Sequence, residues 1–190
     1  MKMTGGQMRG CSIRPSGLGA KSSHGVLRPT SSKVRQALFN IIGQQMDESV
    51  FCDLYAGTGI VGMEAMSRGA STVYFVEADR VRVKELEHTL DGCGCRSKAN
   101  IINARAEEFI KRLSSEGRKL SVIFMDPPYK SDEISILLPL IGSSTVLDEG
   151  ALVVVEHSSK MPLPAETGRL RLRKDYKYGD TKLSVYECTA

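Results

Sequence analysis

Three short stretches of the chain place acidic, glycine and proline residues in patterns that can do chemistry. The first is the string Asp53, Leu54, Tyr55, Ala56, Gly57, Thr58, Gly59, Ile60, Val61, Gly62. Glycines at this spacing let a backbone turn sharply and approach a ligand closely. The helix expected after them offers unpaired amide donors. The same GxGxxG spacing serves dinucleotide enzymes, but Asp53 ahead of it would meet a pyrophosphate with like charge. A carboxylate there suits an ammonium or sulfonium group instead. The second is Glu77, which follows the apolar run 73–76 and lies 20 residues past Gly57. An acid at that distance from a glycine turn can accept both hydroxyls of a ribose. The third is Asp126, Pro127, Pro128 and Tyr129, after the apolar run 122–125. Prolines carry no backbone donor, so the carbonyls around them stay free to accept. With the Asp126 carboxylate they form an acceptor-rich nook for an amino group, and Tyr129 can stack on a flat base.

Such residues need elements to hold them. Ser31 or Ser32 can cap a helix in which Val34, Ala37, Leu38, Ile41 and Ile42 form one apolar face, with Gly43 as its stop. Strands are predicted over 50–55, 72–76, 99–103, 121–125 and 151–156, and helices over 60–67, 80–90, 106–113 and 132–141. The stretches 170–176 and 181–187 read as a hairpin around Tyr178, Gly179 and Asp180. Strands alternating with helices predict an α/β, Rossmann-like fold, a mostly parallel sheet with helices on both faces. Ligands of such sheets bind beyond the carboxyl ends of the strands, where all three stretches fall.

Charge divides the chain unevenly. Lys2, Arg9, Arg14, Lys21, Arg28, Lys33 and Arg35 give the first 35 residues seven basic side chains and no acid, within 26 basic and 22 acidic residues overall. A basic, Gly- and Ser-rich arm over 1–30 is therefore expected ahead of a folded domain over 31–190. Basic arms displace counterions from nucleic-acid phosphates, which makes Arg9, Arg28, Lys33 and Arg35 the candidate RNA contacts. The length, 190 residues, suits one domain with its own core. A hydrophobic content of 41% and a charged content of 25% exclude a disordered or collagen-like chain. Apolar runs such as 151–155 are far shorter than the roughly 20 residues of a membrane helix. With no apolar leader at the N-terminus, a cytoplasmic location without membrane contact is expected. Five cysteines include no CxxC pair, and the three histidines stand at no metal-ligand spacing from them, so no structural zinc, catalytic metal or disulfide framework is expected.

Taken together, the motifs resemble those of class I S-adenosylmethionine-dependent methyltransferases. The tetrapeptide 126–129 is similar to the motif of enzymes that methylate exocyclic amino groups of bases. More closely, the chain resembles the RsmD family of bacterial 16S rRNA guanine-N2 methyltransferases. That resemblance runs through residues 5–10, 28–30, 34–40, 53–62, 126–129 and 178–181. It implies a seven-stranded sheet with an antiparallel last strand, S-adenosylmethionine as cofactor with no metal, and 16S rRNA, within an assembling small subunit, as partner of a monomer. Asp53, Tyr55, Ala56, Gly57 and Gly59 would then hold the methionine end and Glu77 the ribose. Asp126, Pro127, Pro128 and Tyr129 would hold the guanine. One departure is Arg105, where such enzymes often place an acid for adenine. Adenine contact is expected instead from the backbone near Ala106, with Arg105 turned to solvent.

Overall fold

The computed structural model describes residues 2–8, 31–94, 96–128 and 131–190. Its centre is an eight-stranded sheet in the order β3-β2-β1-β4-β5-β8-β7-β6. The strands are β1 (Val50–Asp53), β2 (Thr72–Glu77), β3 (Ala99–Asn103), β4 (Leu120–Met125), β5 (Leu147–Ser158), β6 (Glu166–Thr167), β7 (Leu170–Tyr178) and β8 (Thr181–Cys188). The first five run parallel. β8 enters antiparallel between β5 and β7. The eighth strand, beyond the seven expected, is the two-residue β6, which pairs antiparallel with the edge of β7.

Five helices cover the sheet: α1 (Ser32–Ile42), α2 (Ile60–Ser67), α3 (Arg80–Gly92), α4 (Ala106–Ser115) and α5 (Glu133–Ser143). α1 begins where its cap predicts, with Ser31 Oγ accepting from the Val34 amide at 3.2 Å, and ends at Gly43 with φ 56°. α1, α2 and α3 pack on one face through Leu38, Phe39, Ile60, Met63 and Leu86 against Phe51, Phe75, Phe124 and Val154. α4 and α5 pack on the other through Phe109, Ile110, Leu137 and Ile141 against Ile123, Val153 and Val155. β1, β2, β4 and most of β5 are thus buried on both sides, as a parallel sheet requires, while β3 at the edge is only half-buried.

The first described residues of the expected arm pack on the folded domain. Met3 is buried in the first core. Gln7 N donates to the Ser67 carbonyl at 2.8 Å, Met8 N donates to Ser67 Oγ at 2.8 Å, and Ser67 Oγ donates to the Gly5 carbonyl at 2.8 Å. Residues 2–8 therefore belong to the folded body, held against α2. The remainder of the expected arm, with Arg9 and Arg28, lies outside the described residues.

Arg35 also departs from expectation. It is buried rather than available to phosphate, and its Nε meets Glu64 Oε2 at 2.7 Å. Its Nη2 donates to the Lys2 carbonyl at 2.7 Å. Glu64, fully buried in α2, also accepts from Arg68 Nη2 at 2.8 Å and from the Thr4 hydroxyl. Burial pushes the Glu64 carboxyl up, but the hydrogen bonds from Thr4, Arg68 and Arg35 outweigh it, so it titrates below the ordinary glutamate value. The network ties the N-terminal segment, α1 and α2 together. Lys33, by contrast, is exposed.

Candidate active site

A cavity of about 850 Å³ opens at the carboxyl ends of the parallel strands. The turn from β1 into α2 forms its floor. Gly57 and Gly59 take φ of 49° and 74° there, a backbone that side chains disfavour. Gly62, the third glycine, lies against the Phe75 ring with no room for a Cβ, which lets α2 sit close on β2. Asp53, Tyr55, Ala56 and Gly57 line the cavity, whereas Gly59 shapes the turn without lining it.

The acids form a row. Phe51, Phe75, Phe124 and Val154 point into the first core, and Asp53, Glu77, Asp126 and Glu156 each lie two residues further on, hence on the same face. All four line the cavity. The strand order places them as Glu77, Asp53, Asp126, Glu156 across the sheet. Register places Asp53 beside Phe75 and Phe124, one side-chain repeat deeper than its neighbours. Asp53 is 1% exposed, and its Oδ1 has no hydrogen-bond partner among the described residues. Burial raises its pKa to about 7, against the pull of the Tyr55 and Gly62 backbone bonds, and the charges of Asp126 and Glu77 add to the rise.

Glu77 is held from both sides. Its Oε2 accepts from Gly57 N at 3.0 Å and its Oε1 from Asp79 N at 2.9 Å. Asn103 Nδ2 donates to the Glu77 carbonyl at 3.0 Å, locking the end of β2 to β3. Ala106, the first residue of α4, closes the far end. Arg105 is exposed, as expected, yet also lines the cavity there. It makes no side-chain cap to α4. Tyr55 hydrogen-bonds Glu133 at the start of α5. Burial first, then that bond and the Glu133 charge, raise its pKa. Asp126, Pro127 and Pro128 line the middle of the cavity, while Tyr129 lies outside the described residues.

A family model described as Conserved hypothetical protein 95 matches residues 1–187. The chain belongs to this family, the RsmD family. It is 33% identical over 138 residues to ribosomal RNA small subunit methyltransferase D of Haemophilus influenzae, covering 72% of this chain and 71% of that one. It is 32% identical over 160 residues to YlbH of Bacillus subtilis, whose name marks it as a candidate rRNA methyltransferase, covering 84% and 87%. A crystal structure of HI0767 from Haemophilus influenzae, described as a candidate methylase, superposes with TM-score 0.80 at 26% identity, covering 100% of this chain and 98% of that one.

This RsmD-family cavity also has walls to which the sequence assigned no site role. Ser31 and Val34 of α1, Arg82 of α3, Glu133 of α5, Glu156 of β5 and the hairpin residues Asp180 and Thr181 all line it. Glu156 carried a legible signal, the one that marked Glu77: an acid closing an apolar strand. Chemically, the cavity divides in two. One half, under β1 and β2, offers a buried carboxylate oxygen with no partner among the described residues and an oriented glutamate. The other, under β4 and β5, offers acceptors from Asp126, the proline carbonyls and Glu156.

Proposed function

We propose that the chain transfers a methyl group from S-adenosylmethionine to the exocyclic N2 amino group of a guanine in 16S rRNA of the small ribosomal subunit. The carrying observation is the buried Asp53 Oδ1, without a hydrogen-bond partner among the described residues, in one cavity with Glu77 and Asp126. A buried carboxylate kept from its usual partners is costly, and a cationic ligand offsets that cost. S-adenosylmethionine fits this donor set: it carries an ammonium, a sulfonium and a ribose. When bound, it supplies an electrophilic methyl carbon.

The chain supplies position and charge. Asp53 faces the positive end of the cofactor, beside the Gly57 and Gly59 turn. Glu77, oriented by the Gly57 and Asp79 amides, retains lone pairs for the ribose hydroxyls. The amides of the first turn of α4, near Ala106, serve the adenine edge. A base must leave its stack to enter such a cavity. Asp126 and the Pro127 carbonyl then accept hydrogen bonds from the N2 amino group, whose lone pair is delocalised into the ring. Accepting these hydrogen bonds raises electron density on nitrogen and aims it at the methyl carbon. Asp126 or water takes the proton that the methylated amine must shed, and the cofactor is left as its neutral thioether. Tyr129 stacks on the base. Catalysis of this kind is mostly orientation and electrostatics. Arg9, Arg28 and Lys33 contact RNA phosphates. The relatives' names as rRNA methyltransferases support the RNA substrate.

The test offers tritiated S-adenosylmethionine with unmethylated 16S rRNA, assembled small subunits, tRNA and duplex DNA. Label should enter small-subunit RNA, and Asp126→Ala should cut the rate by roughly a hundredfold or more while still binding the cofactor. Label in tRNA or DNA would overturn the substrate. Undiminished labelling by the variant would overturn the role of Asp126. Cofactor binding with no label on any substrate would favour an RNA-binding assembly factor.

A further inference from the structure

Resting on the reading above, we infer that Glu156 is the residue that makes the site specific for guanine, its carboxylate accepting the N1–H while Asp126 accepts from N2. Glu156 is 4% exposed, closes the apolar run of β5 and lines the cavity. β4 and β5 are parallel neighbours, paired Phe124 to Val154 and Met125 to Val155. Continuing that register one step past the end of β4 brings Asp126 level with Glu156, with adjacent strands about 4.8 Å apart. Both lie on the face of Phe124 and Val154. β1 and β2, which carry Asp53 and Glu77, lie on the opposite side of Asp126. A base whose amino group is held at Asp126 therefore extends its edge toward β5 and the start of β8, where Thr181 also lines the wall.

The Watson–Crick edge decides what such a wall accepts. Guanine carries two neighbouring donors, N1–H and the N2 amino group. Adenine carries its amino donor beside an N1 lone pair, which a carboxylate repels. Two carboxylates side by side therefore match guanine and reject adenine, and reading a flipped base by this edge is the general mode of base-modifying enzymes. Sites built around a specific substrate hydrogen bond discriminate strongly against analogues that lack it.

The test uses 2-aminopurine, which keeps the N2 amino group but presents a lone pair at N1. Once the methylated position is mapped, small-subunit RNA is prepared with guanine or 2-aminopurine there, and kcat/KM is measured for wild type, E156Q and E156A. Wild type should prefer guanine by roughly tenfold or more. In E156Q the amide can donate to the N1 lone pair or accept from N1–H, so the preference should fall about tenfold. E156A should lose guanine activity and most of the preference with it. A preference unchanged in both variants, including equal losses on both bases from a damaged fold, would overturn the assignment. Wild type giving no guanine product would overturn the parent reading and this one with it. Guanine product with an unmoved ratio would overturn this one alone.

Discussion

At the end of β1, one carboxyl group carries a consequence that can be measured without RNA. Asp53 is buried and its pKa is raised to about 7. A cationic ligand binds the ionised form, so below that value a proton must leave first. S-adenosylmethionine affinity should therefore rise as pH increases from 5.5 to 7, by up to about tenfold per unit for one linked proton, and level off above. Calorimetry in buffers of different ionisation enthalpy should show proton release on binding. Asp53→Asn should weaken binding and flatten the profile. A profile as steep in the variant as in wild type would place the linked proton elsewhere. At this scale the sequence was most legible where residue type and strand-end position coincided. Asp53, Glu77 and Asp126 each follow an apolar run, and each lines the cavity. Glu156 follows one too, but no companion motif pointed to it; its meaning comes from β4 and β5 being neighbours. Arg35 departs from its expected phosphate role because charge alone does not tell which face of a helix a residue takes. It stands three, four and seven residues before Leu38, Phe39 and Ile42, on the buried side of α1.

Elements were legible where local signals agreed. α2 spans Ile60–Ser67 and β3 Ala99–Asn103, both as the sequence predicts. Boundaries moved where pairing extended a strand beyond its apolar stretch. β5 runs Leu147–Ser158: its end is lengthened through His157 and Ser158 by antiparallel pairing with β8, and its start by the pairing of Leu147 with Leu120 of β4, neither of which a local residue announces. β6 has two residues and exists through its partner β7. Residues 2–8 carry no local sign of their packing because their ties are long-range, from Thr4 to Glu64 and from Met8 to Ser67. Those ties give α2 its orientation behind the glycine turn. Removing one partner of a buried ion pair leaves the other charge unpaired, at a cost of about 3–5 kcal/mol. Glu64→Gln should lower the urea midpoint by an amount equivalent to that loss. A change under about 1 kcal/mol would mean the network is solvated in practice and contributes as little as a surface pair.

For the whole molecule, the parallel sheet with β8 inserted antiparallel follows from strand–helix alternation and a terminal hairpin, which the sequence carries openly. The charge distribution carries the partner. Arg35 is committed to Glu64, and among the described residues Lys33 is the candidate RNA contact that is exposed. Neutralising Arg9, Arg28 and Lys33 together should weaken RNA binding alike across sequences. It should also flatten the dependence of log affinity on log salt by roughly 0.7–0.9 per lost phosphate contact. Cofactor affinity should stay as in wild type. An unchanged salt slope would remove these residues from the RNA interface.

The central claim is that one cavity holds a methyl donor beside a guanine amino group. The most direct measurement is nucleoside mass spectrometry of small-subunit RNA after incubation with the protein and S-adenosylmethionine carrying a heavy methyl group. Heavy N2-methylguanosine is expected at a single position, absent when Asp126→Ala replaces the wild type. A heavy methyl group on another atom or another base, with N2-methylguanosine unlabelled, would contradict it.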